Sequence, residues 1–354
     1  MYFKTTYFHN FRNLRGERRE WVSGFNLITG PNGSGKTNFL EGLNLISGWG
    51  PFDRKVKIPQ LVRRFPSDHD KTGAASLWGM ACGEDESEVF ASLQVRCQLK
   101  CDDKSIGASE MRRKIPMLSF MPGHMSLLKG GASCRRQLLD MIGAVVSVQY
   151  ARILHDYRHL LRQKSALLRK MRSAEVTDRM MIAFGSWLWS AREEILSLLK
   201  SEMENFSQLL PAPLDFFLKR GGGTSDDSPV GDFKRSLQIV REKEIFSRMP
   251  LVGPHRDDII FTSEGVETSV AFSRGQNRRA VSAIILASAH VVEQKLGKKP
   301  VLVFDEITSE LDEQGRELAI EALLDTGYQV FAATADALPH EGVEIHKMRD
   351  GRFL

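Results

Sequence analysis

Eight consecutive residues constrain this chain more than any others: Gly30-Pro31-Asn32-Gly33-Ser34-Gly35-Lys36-Thr37, a G-x-x-x-x-G-K-T run. Phe25, Leu27 and Ile28 before it read as a buried strand, and Phe39, Leu40, Leu43 and Ile46 after it fall on one face of a helix. A glycine-rich turn from strand to helix lets backbone N–H groups curl around a phosphate, and the helix N-terminus adds its positive end. Lys36 would reach the β and γ phosphates as a point charge, and the Thr37 hydroxyl would ligate Mg²⁺. Residues Gly30 to Thr37, with Asn38 next in line, are therefore the expected binding site of a nucleoside triphosphate.

A chain of 354 residues is long enough for two compact units, and 26% charged residues is usual for a soluble protein. The longest apolar stretch, Val281 to Val292, contains His290 and falls short of the ~20 residues a membrane span needs. No N-terminal segment reads as a signal peptide, so the expectation is a cytoplasmic protein with no membrane partner. Cys82, Cys97, Cys101 and Cys134 form no C-x-x-C pair and read as reduced thiols rather than a zinc site.

The formal net charge is only +5, but the basic residues are clumped. Arg54, Lys55, Lys57, Arg63 and Arg64 make one run, and Arg112, Arg113 and Lys114 another. Arg152, Arg158, Arg162, Lys164, Arg169, Lys170 and Arg172 make a third, against the single acid Asp156. Clumping of this kind is the footprint of a polyanion, although solvated helix faces produce similar runs.

Texture divides the chain into an α/β part at 1–120 and 245–354 and a helical insert at 121–244. Apolar residues recur at helical spacing from Arg135 to Met171 and again from Asp178 to Leu210. Pro211-Ala212-Pro213 closes the insert, and Gly221 to Asp227 reads as a mobile loop. Strand signals return at Ile259 to Thr262, Val301 to Phe304 and Gln329 to Thr334. Trp187 and Trp189 read as core packing, and His255 and Asp257 as residues that order a loop.

Val301-Leu302-Val303-Phe304-Asp305-Glu306 is an apolar strand ending in two carboxylates, the expected partner of a phosphate loop. Asp305 would hold Mg²⁺ through its water shell, and Glu306 would polarise the attacking water, with Lys36 completing the catalytic set. Phe272-Ser273-Arg274-Gly275-Gln276 opens an apolar-periodic helix about 30 residues earlier and resembles the signature motif of ABC-type ATPases. Its plainer reading is a capped helix. In the ABC class, Ser273, Gly275 and Gln276 would meet ATP bound to the other subunit, and Ser309-Glu310-Leu311-Asp312 looks like the loop that follows the acidic strand there.

Over most of its length the chain resembles the RecF family of bacterial recombination mediators. The resemblance rests on Asn10-Phe11-Arg12-Asn13, the phosphate loop, Leu128 to Asp140 with Arg135-Arg136, Gly253-Pro254-His255-Arg256-Asp257, Phe272 to Gln276, and Glu310-Leu311-Asp312. It implies an α/β fold: an ABC-type ATPase head, that is a P-loop NTPase, with a helical second lobe inserted. It also implies a weak, DNA-stimulated ATPase using ATP and Mg²⁺ that forms an ATP-dependent homodimer. Its DNA would be double-stranded or a single/double-strand junction, bound without sequence specificity. Its protein partners would be RecR, RecO and RecA, in loading RecA at gapped DNA, in SOS induction and at stalled forks. The chain departs from the family's pattern at Gly123-His124, at Lys164-Ser165, and at Thr334-Ala335-Asp336, where many ABC ATPases place a sensing histidine.

Other classes share the motifs. In transporter nucleotide-binding subunits the signature lies much closer to the phosphate loop than Ser273 does to Lys36, 237 positions apart here. An SMC-type head would need long heptad arms that the insert is too short to supply. A clamp whose hydrolysis is incidental stays open on the same residues. Arg12 is read either as a contact to base or phosphate or as a surface arginine.

Overall fold

The computed structural model describes residues 1–63, 73–172, 174–223, 228–306, 313–335 and 340–354. Contacts divide the chain into a unit of Met1–Met125 with Val292–Leu354 and a unit of Ser126–Val291.

In the first unit, hydrogen bonding joins six strands in the order Arg352–Phe353, Val343–Arg349, Phe25–Thr29, Val330–Thr334, Val301–Asp305 and Met117–Phe120. Every pair is parallel except the terminal hairpin Val343–Arg349 with Arg352–Phe353. Strands Phe25–Thr29, Val301–Asp305 and Val330–Thr334 are buried along their whole length, as apolar strands covered on both faces are. A second, antiparallel sheet runs Arg18–Glu20, Tyr2–His9, Ala75–Cys82, Glu86–Leu93, Cys97–Cys101 and Lys104–Ser105.

The helix Lys36–Ile46 packs against both sheets. Its residues Phe39 through Ile46 are all buried, Glu41 and Asn44 included, so the expectation of one apolar face was too narrow. A helix between two sheets has no solvent face, and its polar members must be satisfied internally. Glu41 accepts from Arg12 Nε at 2.8 Å and from the Phe52 N–H at 3.1 Å. Asn44 donates to the Gly50 carbonyl and accepts from the Ser119 hydroxyl.

The second unit holds helices Ala132–Val146, Val148–Arg169, Glu175–Met203 and Pro229–Ser247 and a small sheet of Asp215–Lys219, Asp258–Ser263 and Val266–Glu267. The helical pattern from Arg135 to Met171 is broken at Ser147, whose extended backbone ends one helix and whose hydroxyl caps the next by accepting the Tyr150 N–H. The contact division at Val291 also lies beyond the 244 read from texture. Asp258–Ser263 pairs with Asp215–Lys219, which draws the strand signal after Leu251 into this unit. Gly221 is buried and donates its N–H to Asp257 Oδ1 at 2.8 Å, so the glycine run begins as a fixed turn. The rest of that run, Thr224 to Asp227, lies outside the described residues.

All four cysteines are free. Among the described residues no helix is long and apolar enough to cross a membrane.

Candidate functional site

Strand Phe25–Thr29 delivers the glycine-rich loop to the carboxyl edge of the parallel sheet. Helix Lys36–Ile46 then starts at Gly35, with no side-chain cap and no acid in its first turn. A helix start left uncapped by its own chain presents N–H groups and positive potential to an anion. Ser34 Oγ is buried with no hydrogen-bond partner among the described residues, an orphan that suits a polar ligand. Lys36 Nζ folds back onto its own loop, donating to the Gly30 and Pro31 carbonyls at 2.5 and 3.1 Å. Burial lowers the pKa of Lys36 from its ordinary value, against the opposing pull of Asp305 and Glu306.

Strands Phe25–Thr29 and Val301–Asp305 flank Val330–Thr334 on either side, so residues far apart in sequence meet at one sheet edge. Thr37 Oγ1 donates to Asp305 Oδ2 and Oδ1 at 3.0 and 3.2 Å. The Asp305 carboxyl is raised above its ordinary value by burial, an effect the Thr37 hydrogen bond opposes. A hydroxyl beside one carboxylate fits Mg²⁺, which keeps much of its water and takes few protein oxygens. Glu306 is exposed, donates its N–H to the Ala333 carbonyl at 3.0 Å, and holds a left-handed φ of 59°. That is an uncommon conformation for a residue with a side chain, and such outliers gather at functional sites. Asp312, with Ser309, Glu310 and Leu311, lies outside the described residues, as does Asp336.

In the second unit, helix Arg274–Leu296 begins directly after Ser273. Ser273 Oγ accepts the Gln276 N–H at 3.2 Å while Gln276 Oε1 accepts the Ser273 N–H at 2.8 Å. This reciprocal capping box fixes the turn from within. Ser273 remains exposed and its hydroxyl can still donate, while Gly275 and Gln276 are half-buried.

Several expected roles change with burial. Arg12 pairs with Glu41 at 2.8 Å, which ties it to the flank of the helix Lys36–Ile46. In the basic run of the second unit, Lys164 is buried, with Nζ 2.8 Å from Asp178 and 2.6 Å from Glu244, close by charge although not aligned as hydrogen bonds. Arg158 pairs with Asp140 at 2.7 Å. Arg152, Arg162, Arg169 and Lys170 stay exposed. Arg112 lies over Trp49 and donates to the Gly48 carbonyl, and burial lowers its pKa to about 10. In the first basic run Arg54, Lys55 and Lys57 are exposed, and Arg64 lies outside the described residues.

Asp257 is the centre of a buried network. Its carboxylate accepts from Arg192 at 2.5 Å, from Trp189 Nε1 at 2.7 Å and from the Gly221 N–H. Arg192 also donates to Asp140 at 2.8 Å and to the Pro254 carbonyl at 2.7 Å. His255 Nδ1 lies 2.8 Å from the Tyr157 hydroxyl and Nε2 3.3 Å from the Pro250 carbonyl, a pairing that makes Nε2 the donor and Nδ1 the acceptor. Burial lowers the His255 pKa to about 4. Asp257 and Trp189 thus share one network, and His255 ties the same turn to Tyr157 and to the Pro250 carbonyl.

Sequence reasoning missed a site residue. Asn13 Nδ2 donates to the Gly33 carbonyl at 3.2 Å, and its Oδ1 accepts from Asn38 at 2.8 Å, so Asn38 braces the loop through Asn13. The signal available was the turn Asn10 to Asn13 itself, whose Asn10 and Arg12 are left-handed.

The phosphate loop, the acidic strand end and the inserted helical unit with its capped turn define an ABC-type ATPase head, a mixed α/β fold with a helical insertion. Residues 2–344 match the model of the RecF/RecN/SMC N terminal domain, and the chain belongs to that family. It is 29% identical over 351 residues to the DNA replication and repair protein RecF of Symbiobacterium thermophilum, covering 95% of this chain and 92% of that one. It is 30% identical over 335 residues to the RecF of Moorella thermoacetica, covering 92% and 88%. Among solved structures it is similar to the recombination mediator protein RecF-ATPrS in the RecFOR pathway, at a TM-score of 0.87 and 26% identity, covering 99% of this chain and 97% of that one. An SMC head bound to the C-winged helix domain of ScpA shares the fold, at 0.56 and 16%.

Proposed function

We propose that this chain is a DNA-binding repair ATPase whose heads pair on ATP and separate after hydrolysis. The observation that carries the reading is the Thr37–Asp305 hydrogen bond, which joins the phosphate loop to the acidic strand at one edge. The loop amides and Lys36 would hold the β and γ phosphates, and Thr37 and Asp305 the Mg²⁺ ion, which when bound neutralises charge on the phosphate oxygens. Glu306 would orient and polarise the attacking water. Its exposed side chain starts from a backbone held at Ala333, in reach of solvent.

Ser273, Gly275 and Gln276 would present the capped turn, with Asp312, to ATP on a second copy of the chain. The solved relative carries ATPrS and is assigned to the RecFOR pathway. That supports ATP as ligand and RecO and RecR as partners in supplying RecA to gapped DNA. The exposed basic residues Arg152, Arg162, Arg169 and Lys170 would meet DNA phosphates without reading sequence.

Sedimentation with and without ATP and DNA tests the reading. Wild type should pair on ATP, and Lys36→Ala should not, because loss of a charge-assisted contact costs about 1.5–3 kcal/mol of nucleotide binding. A Ser273→Arg chain should bind nucleotide but not pair with itself. Mixed with Lys36→Ala it forms one intact composite site, so pairing and part of the hydrolysis should return. Wild type that stays monomeric with saturating ATP would sink the paired-head reading.

A further inference from the structure

The end of the chain locks onto the outside of the phosphate loop, and we propose that this hairpin is a positioning element of the nucleotide site. The inference rests on the nucleotide reading above. Strands Val343–Arg349 and Arg352–Phe353 are joined by Asp350-Gly351, with φ of 49° and 76°. This is the left-handed pair that Asp-Gly supplies to two-residue hairpin turns. The Gly351 N–H donates to the Ser34 carbonyl at 2.8 Å, and the Gly351 carbonyl accepts the Arg15 N–H at 3.0 Å. Two residues before the turn, the Met348 carbonyl lies so close to Gly30 that a Cβ there would stand 2.1 Å from its oxygen. The hairpin is itself anchored: the Phe353 ring meets Phe39 and Trp21 edge-on at 5.2 and 5.3 Å.

The loop is thereby held from two ends of the sequence. Asn13 takes the Gly33 carbonyl and Gly351 takes the Ser34 carbonyl. A trans peptide is planar, with its C=O and N–H on opposite sides. Holding the Ser34 carbonyl against the hairpin therefore turns the Gly35 N–H to the other side, as a donor for phosphate. The loop keeps this donor in place before any ligand arrives, and a preorganised site loses less free energy to ordering when it binds. Neither Asp350 nor Gly351 touches the reacting atoms, so their action is through the loop.

Gly351→Ala is the direct test, since its Cβ would stand 2.1 Å from the Asn13 carbonyl oxygen at a φ that side chains avoid. The variant should bind ATP and ADP about tenfold more weakly, a loss of the size of one hydrogen bond to a charged group. Its hydrolysis rate at saturating ATP should stay within about twofold of wild type, because uniform binding alone is lost. A folded variant, judged by its melting curve, that binds both nucleotides as tightly as wild type overturns the proposal. If the variant does not fold, hydrogen exchange on the unaltered chain decides. Coupling between turn and loop is reciprocal, so saturating ADP must slow exchange of the Gly351 amide along with that of Gly35. Unchanged exchange at Gly351 overturns the proposal. A wild-type chain that binds neither nucleotide overturns the nucleotide reading and this inference with it, a result distinct from equal binding by wild type and variant.

Discussion

Each unit carries a polar centre, and the two are built on opposite plans. In the helical unit the Arg192 guanidinium is buried among Asp140, Asp257, Tyr150 and the Pro254 carbonyl, and Asp257 has three donors of its own. Charge and hydrogen bonds close on themselves. At the phosphate loop the backbone is just as firmly held, by Asn13 and Gly351, and Asp305 takes the Thr37 hydroxyl, but the chemistry is left open. Ser34 Oγ is an orphan among the described residues, the helix start lacks a side-chain cap, and burial raises Asp305 and lowers Lys36. A complete network specifies a structure, whereas an incomplete one, rigidly framed, waits for a ligand.

The largest effect expected from this contrast is on stability. Arg192→Leu leaves Asp257 buried without a cation and Asp140 with Arg158 alone, and breaking a buried pair from one side costs about 3–5 kcal/mol. Urea unfolding should show that loss, and a loss below ~1 kcal/mol would mean the network is not closed as described. Glu306→Gln probes the open centre. Removing a general base slows reaction by roughly 10²–10⁴-fold, so turnover should fall on that scale while nucleotide binding and ATP-driven pairing persist. Unchanged turnover removes Glu306 from the mechanism.

His255 sharpens the description of the closed centre. Its folded pKa of about 4 lies below the ordinary 6.5, so between those values the folded state binds fewer protons than the unfolded one. Its contribution is therefore fully present above pH 6.5 and is lost as the pH falls toward 4, where the loss amounts to about 3 kcal/mol. His346 in the other unit shifts in the same direction, so the test must be specific to the residue. The His255 ring signal in NMR should titrate far below pH 6.5 in the folded protein. An ordinary titration would mean the Tyr157–His255 contact opens to water.

The smallest effect concerns the helix Val148–Arg169, which faces both ways. Neutralising the exposed Arg152, Arg162 and Arg169 should flatten the log–log salt dependence of DNA binding by up to about three units, one for each phosphate that is no longer neutralised. An unchanged slope makes this face merely solvated. Arg158 belongs to the other side of the comparison: its neutralisation should also lower stability, because it holds Asp140 at 2.7 Å.

The amino-acid order by itself determined the features whose physics is local. A phosphate loop is eight adjacent residues whose own backbone supplies the donors. Strands Phe25–Thr29, Val301–Asp305 and Val330–Thr334 announce themselves as short apolar runs, and Ser273 and Gln276 sit at capping-box spacing. The signature turn and the acidic strand end were legible for the same reason. Tertiary structure alone decided what depends on partners brought from far along the chain. It alone buried every side of the helix after the loop, because only the second sheet covers the outer face. The inward pull on Lys164 and Arg158 was hidden because a basic residue reads the same whether or not an acid on another helix meets it. The left-handed Glu306 and the grip of Gly351 on Ser34 were hidden because they arise from sheet register and hairpin closure. Thr37 and Asp305 stand 268 positions apart. Sequence supplied both residues, but the parallel pairing of their strands with Val330–Thr334 is what brings hydroxyl to carboxylate.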